Sequence, residues 1–246
     1  MLANASITLR YFNCRGRAQA LRDVLLDSGI AFEDQIVEVG PEWPALKEDR
    51  DFSGPFGSLP VLLWGDDRVA QTLPIAGYVS RQLGHYDGKD AQEIARLETV
   101  ASAAYLDLII SAGEMRYQLG ATQDEAAWNS LFDTHVQRAR FRIPRFEQLL
   151  AKLDSEFFGG NNPVTADFFV YEAMLEWQDV LGDSLLDELA CPLLARFTKT
   201  ISARPRISAY RNAGRRPIPF SGSPADGETL KRLQAAAKTR SGRALA

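Results

Sequence analysis

Ile7-Thr8-Leu9-Arg10-Tyr11-Phe12-Asn13-Cys14-Arg15-Gly16-Arg17 is the stretch from which the fold can be read. Its first five residues carry β-branched and aromatic side chains, with the apolar ones on one parity, which is the pattern of a short strand. Beyond it Ala18, Leu21, Val24 and Leu25 recur at helical spacing, and Ser28-Gly29 supplies a residue type that ends a helix in a left-handed turn. A strand thus delivers Tyr11 to the mouth of a helix, in a loop with a glycine and two arginines. Free N–H groups point out of a helix mouth, which carries roughly half a positive charge. Such a mouth can hold an anion.

Tyrosine has a reference pKa near ~10, so at neutral pH the Tyr11 hydroxyl is a hydrogen-bond donor and not a base. Beside a helix start and guanidinium groups it would stabilise a thiolate or oxyanion far better than a neutral group. A free thiol with pKa near ~8.5 is only about 3% ionised at pH 7; lowering that value by ~2 units, about 2.7 kcal/mol, makes it mostly thiolate. Thiolate activation is one reading of this stretch. A strand-end tyrosine that merely packs, beside solvated arginines, is the other, and these residues alone do not separate them.

The rest of the chain sets limits. A length of 246 residues suits one large domain or two small ones, and 46% hydrophobic with 24% charged residues is ordinary globular composition. No apolar run approaches the ~20 residues of a membrane span, and Met1-Leu2-Ala3-Asn4-Ala5 lacks the basic start and apolar core of a secretory signal, so a cytoplasmic location is expected. Cys14 and Cys191 are too few for a disulfide framework, and with His85 and His135 as the only histidines no metal site is expected. Twelve of the 28 basic residues, but only Asp226 and Glu228 of the 32 acidic ones, lie from Arg196 onward. These charges are dispersed, without aromatics to stack on bases. They point to a tail that is solvated or paired with the acidic body, and not to nucleic acid or a membrane.

In chain order, Phe32 to Val39 is a second β-prone run, and Trp43-Pro44-Ala45-Leu46-Lys47 opens a short helical or irregular segment. A turn-rich approach, Ser53 to Pro60, leads into Val61-Leu62-Leu63-Trp64, an unbroken apolar run typical of a buried strand. Gly65-Asp66-Asp67 is a hairpin turn into Arg68-Val69-Ala70. A helical pattern, Ile75, Tyr78, Val79 and Leu83, then closes at Gly84, with Thr72 suited to the N-cap and Pro74 to the first turn. The order is βαβαββα. Leu59-Pro60-Val61 entering the third strand needs its proline off the interior of the ladder, and a cis bond there would turn the backbone of Leu59 toward a ligand.

This layout resembles the thioredoxin-like domain of the cytosolic glutathione S-transferases. The resemblance is carried by Tyr11-Phe12-Asn13-x-Arg15-Gly16-Arg17, similar to the sigma and alpha classes, by Phe56-Gly57-x-Leu59-Pro60-Val61-Leu62, and by Gln71-Thr72 before the third helix. It extends roughly from Ile7 to Arg211. It implies an α/β thioredoxin-like domain over 1–84, a linker over 85–90, an all-α domain over 91–220 and a basic tail over 221–246.

By that resemblance Tyr11 donates to the sulfur of glutathione and Arg17 adds positive field there. Trp43 and Lys47 reach the glycyl carboxylate. Leu59, before Pro60, pairs its backbone with the cysteinyl amide as an added strand would. Gln71 and Thr72 hold the γ-glutamyl carboxylate at a helix N-terminus. Ser58 stands where glutamine is usual, and Ala101 or Ser102 where many members place an aspartate that crosses the dimer interface. Phe56 matches an aromatic key inserted into a partner subunit, so a homodimer is expected. Phe12, with Tyr105, Leu108 and Ile109 at helical spacing on the first long helix, is expected to wall an apolar site for a hydrophobic electrophile; ordinary core packing fits the same helix residues as well.

The implied function is glutathione transfer, with glutathione as co-substrate and no metal. Peroxidase or isomerase chemistry on the same thiolate, and a non-catalytic binding or structural role, are the alternatives. Trp43 also fits a place in the core. Cys14 raises a further one, since cysteine-type members carry a nucleophilic cysteine near this helix; here it is followed by Arg15 instead of proline and is offset by one residue.

Long helical patterns follow. Ala91 to Gly120 reads as one helix, Asp124 to Leu153 as another with a kink at Pro144, and Pro192 to Ala203 and Pro205 to Ala213 as the last two of the body. Asn161 to Phe168 resembles the family's capping box, but Val164 replaces the usual Ser or Thr, so Thr165 or Asn162 is expected to cap. Ala225 to Lys238 has helical spacing at Leu230, Leu233 and Ala237, and fits either a lid over the site or a frayed soluble tail.

Overall fold

The computed structural model describes residues 5–217 and 226–241. The N-terminal half runs β1 (Ile7–Phe12), α1 (Gln19–Ser28), β2 (Glu33–Val37), two short helices α2 (Trp43–Glu48) and α3 (Arg50–Ser53), β3 (Val61–Trp64), β4 (Asp67–Ala70) and α4 (Thr72–Leu83). The strands form one sheet in the order β2-β1-β3-β4, with β1 parallel to β2 and antiparallel to β3. This is the expected βαβαββα order, with the segment between β2 and β3 split into two helices. Asp49 makes the split, since its carboxylate accepts from the N–H groups of Asp51 and Phe52 and so starts a new helix. The Leu59–Pro60 peptide is cis.

Apolar residues of α1 account for its position. Leu21, Val24 and Leu25 are fully buried, and Gly29 ends the helix in the left-handed region at φ 75°. The opposite half of the molecule is helical: α5 (Ala91–Ser102), a π-helical segment (Ala103–Ile110), α6 (Ser111–Ala121), α7 (Glu125–Leu153), α8 (Thr165–Leu181), α9 (Leu185–Glu188), α10 (Pro192–Ser202), α11 (Pro205–Asn212) and α12 (Asp226–Ser241). Helix α1 packs on α8, and one contiguous hydrophobic core runs through both halves. Asp27 at the end of α1 is held from the other half, accepting from Tyr86 at 2.6 Å and from Arg204 at 2.5 and 2.8 Å.

Four expectations change. The run from Ala91 to Gly120 is helical throughout, but its middle widens into π geometry where Trp177 of α8 donates its indole N–H to the Leu108 carbonyl at 3.2 Å. Thr72 is the first residue of α4 and Gln71 is its N-cap, at φ 73°. Neither Thr165 nor Asn162 caps α8. Asp167 does so from inside the helix, its buried carboxylate accepting from Val164 N–H at 2.8 Å and Phe158 N–H at 2.7 Å, while Thr165 bonds Ser80 of α4.

Finally, the C-terminal helix is docked, not frayed. Leu233 and Ala237 are buried against α6 and α8, and Arg232 and Arg240 pair with Glu125 and Asp133 on α7 while lying over the rings of Trp128 and Phe132. The basic tail thus meets part of the acidic body. Residues 221–225 and 242–246 of the expected tail lie outside the described residues.

Candidate active site

Strand β1 ends by placing Tyr11 beneath the loop that returns to α1. The phenol is 2% exposed, and its oxygen accepts a hydrogen bond from the Arg17 backbone N–H at 3.0 Å. Burial pushes the phenol well above its ordinary range, with Cys14 adding to the rise and the Arg17 N–H and charge opposing it. The hydroxyl is therefore protonated at any physiological pH. Its lone pair is engaged by the loop, which leaves its proton to donate.

The loop around it is tied at several points. The Arg17 carbonyl accepts from the Thr72 hydroxyl at 3.0 Å, and Thr72 in turn accepts from Tyr105 at 3.0 Å. Arg22 of α1, fully buried, donates to the carbonyls of Cys14 at 2.8 Å and Phe12 at 3.2 Å and pairs with Asp34 of β2 at 2.9 Å. Gly16 sits at φ 39° so close above Tyr11 that a Cβ there would lie 2.6 Å from the phenol oxygen. Only glycine fits both the turn and the approach.

A cleft of about 620 Å³ opens on this loop, within the usual span of ligand sites. Of the residues singled out in the sequence, it is lined by Tyr11, Phe12, Arg17, Trp43, Lys47, Ser58, Leu59 and Ile109. The Phe12 and Trp43 rings meet edge to face, 4.8 Å between centroids, so the expected carboxylate-binding tryptophan also packs. Gln71 donates to the Ser58 hydroxyl at 3.3 Å, which places those two side by side. Gln71, Thr72 and Pro60 are not among its lining residues. Thr72 is 2% exposed with its hydroxyl committed to the loop, so what α4 offers a ligand here is the start of the helix itself. The positive φ of Gln71 is backbone strain of roughly 1–3 kcal/mol, concentrated at that point.

Two of the expected wall residues are elsewhere. Tyr105 and Leu108 are buried, Tyr105 against Phe169 and Thr72 and Leu108 beneath Trp177. The π segment is the cause. Its wider turn shifts the exposed face away from 3.6-residue spacing, and the wall is formed by Ile109, Ile110, Gly113 and Tyr117. Arg15 also departs from the two-arginine mouth. It is fully buried and turned away from Tyr11, facing Glu172, Glu176 and Asp179 of α8. Only Arg17 lines the cleft from that pair. Arg22, Gly57, Arg116 and Glu176 also border or brace the site. Of these, Gly57 stands in the Phe56-Gly57-x-Leu59-Pro60 motif, while Arg22, Arg116 and Glu176 carry no signal in the sequence.

Cys14 is 4% exposed. Among the described residues no group of three or more His, Cys, Asp or Glu side chains is placed to hold a metal, and no helix is long and apolar enough to cross a membrane.

The four-stranded sheet, with a tyrosine under a basic loop and a helical half attached, forms the glutathione S-transferase fold. Residues 107–214 match the family model of the glutathione S-transferase C-terminal domain. Mouse glutathione S-transferase A4 is 28% identical over 214 residues, 86% of this chain and 91% of that protein, and glutathione S-transferase 1 of Ascaris suum is 26% identical over 202 residues, 82% and 93%. The solved Pi-class glutathione S-transferase of Onchocerca volvulus superposes with a TM-score of 0.74 at 26% identity, over 89% of this chain and 99% of that one. The chain is thus similar, over most of its length, to cytosolic glutathione S-transferases, and these similarities support glutathione transfer as its activity.

Proposed function

We propose that the protein binds glutathione along the cleft from Lys47 to Tyr11 and activates it as a thiolate for attack on a hydrophobic electrophile held against the helical half. In this reading Tyr11 donates to the sulfur. Arg17 and the mouth of α1 add positive field. Trp43 and Lys47 hold the glycyl carboxylate, the Leu59 backbone pairs with the cysteinyl amide, and Gln71 with the start of α4 takes the γ-glutamyl carboxylate. Phe12, Ile109, Ile110, Gly113 and Tyr117 form the wall for the second substrate. The observation that carries the reading is the Tyr11 hydroxyl: buried, kept protonated, and accepting from Arg17 N–H, so that its own proton is left for an anion in the cleft.

The unit over 1–84 then supplies glutathione and the helical unit over 91–220 supplies the electrophile. Phe56, 70% exposed, is the proposed key for a groove of about 310 Å³ between α4 and α5 of a second copy, lined by Leu73, Gly77, Glu98 and Ser102. The enzyme would work as a homodimer in the cytoplasm. Retention on immobilised glutathione tests binding, and turnover of an activated aryl halide with glutathione tests catalysis. The cysteine mechanism predicts loss in Cys14→Ser and survival in Tyr11→Phe. The tyrosine mechanism predicts the reverse, and the former outcome would refute it.

A further inference from the structure

The wall of the cleft on the helical half is not wholly apolar. Arg116 of α6 lines it together with Glu176 of α8, at 4% and 1% exposure. Burying a guanidinium and a carboxylate costs several kcal/mol per ion before any pairing offsets it, so a pair at the base of a substrate cleft needs a reason. Arg116 donates to the Glu176 carboxylate through one terminal nitrogen, and Glu176 is shared with Arg15 at 3.3 Å. Burial alone would raise Glu176, but Arg116 and Arg15 outweigh it and hold the group well below the usual carboxylate range. The pair is ionised in the resting protein. The Nε of Arg116 is buried with no hydrogen-bond partner among the described residues.

Access follows from helix geometry. Side chains on an α-helix lean toward its N-terminus, so Arg116 reaches over the turn that contains Gly113. Gly113 has no side chain to stand over Arg116, and both line the cleft together with Ile109, Ile110 and Tyr117.

The chemistry of thiolate addition needs a cation on that side. When the sulfur lone pair forms a C–S bond to the β-carbon of a conjugated carbonyl, the displaced π pair moves onto the carbonyl oxygen; a proton from water then returns to the α-carbon. Negative charge therefore leaves the neighbourhood of Tyr11 and Arg17 and develops on an oxygen several bonds away, on the electrophile side. Preorganised donors at that oxygen are worth far more in a desolvated site than in water.

We propose that Arg116 is a specificity-determining residue: its guanidinium receives an acceptor oxygen of the second substrate, so the enzyme favours electrophiles whose reacting carbon is conjugated to a carbonyl or nitro oxygen over alkyl halides. This rests on the thiolate reading above. The test compares a conjugated phenyl enone with benzyl chloride, of similar size and without such an oxygen, at saturating glutathione. In Arg116→Gln the ratio of kcat/KM for enone over halide should fall about a hundredfold, chiefly through kcat. An equal loss on both substrates would mark Arg116 as a structural strut, and no change in the ratio would also overturn the proposal.

A measurement on the unaltered protein covers a variant that does not fold. A saturated phenyl ketone should inhibit at least about tenfold more tightly than the alkylbenzene of the same shape, because the alkylbenzene leaves a buried donor unmet. Equal inhibition would refute the assignment. If the unaltered protein turned over neither electrophile while still preferring the ketone, the thiolate reading would fall and the cleft's preference for an acceptor oxygen would stand.

Discussion

Replacing Tyr11 by Phe removes one oxygen from the cleft and leaves the ring, which packs 5.3 Å from Phe12 between centroids, in place. A hydrogen bond to a charged group contributes about 1.5–3 kcal/mol, which is roughly 1–2 pKa units for the bound thiol. If the intact site holds that thiol near ~6.5, two units below its free value of ~8.5, the variant should hold it between about 7.6 and 8.7. The thiolate fraction, and with it kcat/KM for a generic electrophile, then drops roughly 7- to 80-fold at pH 6.5 but less than about twofold at pH 9.

The sign follows from which form the bond favours. In the proposed mechanism Tyr11 stabilises the thiolate, so its loss moves the acid limb of the pH profile upward and leaves the alkaline plateau standing. Burial of Tyr11 makes the comparison clean, because its own phenol does not ionise over this range. The Arg17 N–H, which now meets the Tyr11 oxygen at 3.0 Å, is freed in the variant and can offset part of the loss, which favours the smaller end of the range. The assays are the pH dependence of kcat/KM and direct titration of the bound thiol by its ultraviolet absorbance. A loss of equal size at every pH, or a bound thiol that titrates as in the intact protein, would refute the argument.

Gly16→Ala puts a Cβ 2.6 Å from the Tyr11 oxygen at a φ of 39°, so it should lower activity while retaining the phenol and cost about 1–2 kcal/mol of stability, read by chemical denaturation. Phe56→Ala should shift a dimer toward monomer by at least about thirtyfold in Kd, measured by sedimentation, since buried aromatic anchors contribute about 2 kcal/mol or more. Asp167→Ala leaves the buried N–H groups of Val164 and Phe158 unpaired, and unfolding should become easier by roughly 2–5 kcal/mol. Burial, aided by Arg138 against Glu114, lowers the pKa of His135 below its unfolded value near ~6.5, so the unfolded chain binds the extra proton and stability should decline as pH falls through ~6.5. Melting of His135→Gln should lack that component.

The parts of the molecule that the sequence exposes are those decided by neighbours along the chain. Strand parity placed β1, a glycine in the left-handed region ended α1, and the Leu59–Pro60 step entered β3 where expected. Tyr11, Phe12, Ser58 and Leu59 come to one cleft from strand ends and turns whose direction is local, and Trp43 and Lys47 join them from the short helix α2. What stayed hidden depends on distant partners. Periodicity of 3.6 predicted Tyr105 and Leu108 on the wall, and the shift to Ile109, Ile110, Gly113 and Tyr117 arises where Trp177, on another helix, donates to the Leu108 carbonyl. The cap of α8 was misread for a different reason. Val164 at the cap position has no acceptor, which points to Thr165 or Asn162, whereas Asp167 within the helix reaches back to the backbone.

Arg15 and Arg17 show the limit most clearly. Two residues apart, in one loop, they look equivalent in sequence, and a helix mouth would welcome an anion beside either. Their fates are divided by charges about 160 positions further on. Glu172, Glu176 and Asp179 recur at spacings of four and three on α8, one acidic stripe facing α1, and they draw Arg15 inward to full burial. That capture has a consequence for the other arginine. With Arg15 anchored to α8, and the carbonyls of Phe12 and Cys14 gripped by Arg22, the loop has little freedom left, and the Arg17 N–H is aimed at Tyr11. Removing the stripe should therefore loosen the proposed thiol site without touching a residue of the cleft beyond Glu176. The orientation of the phenol is set as much by the helical half as by the strand that carries it.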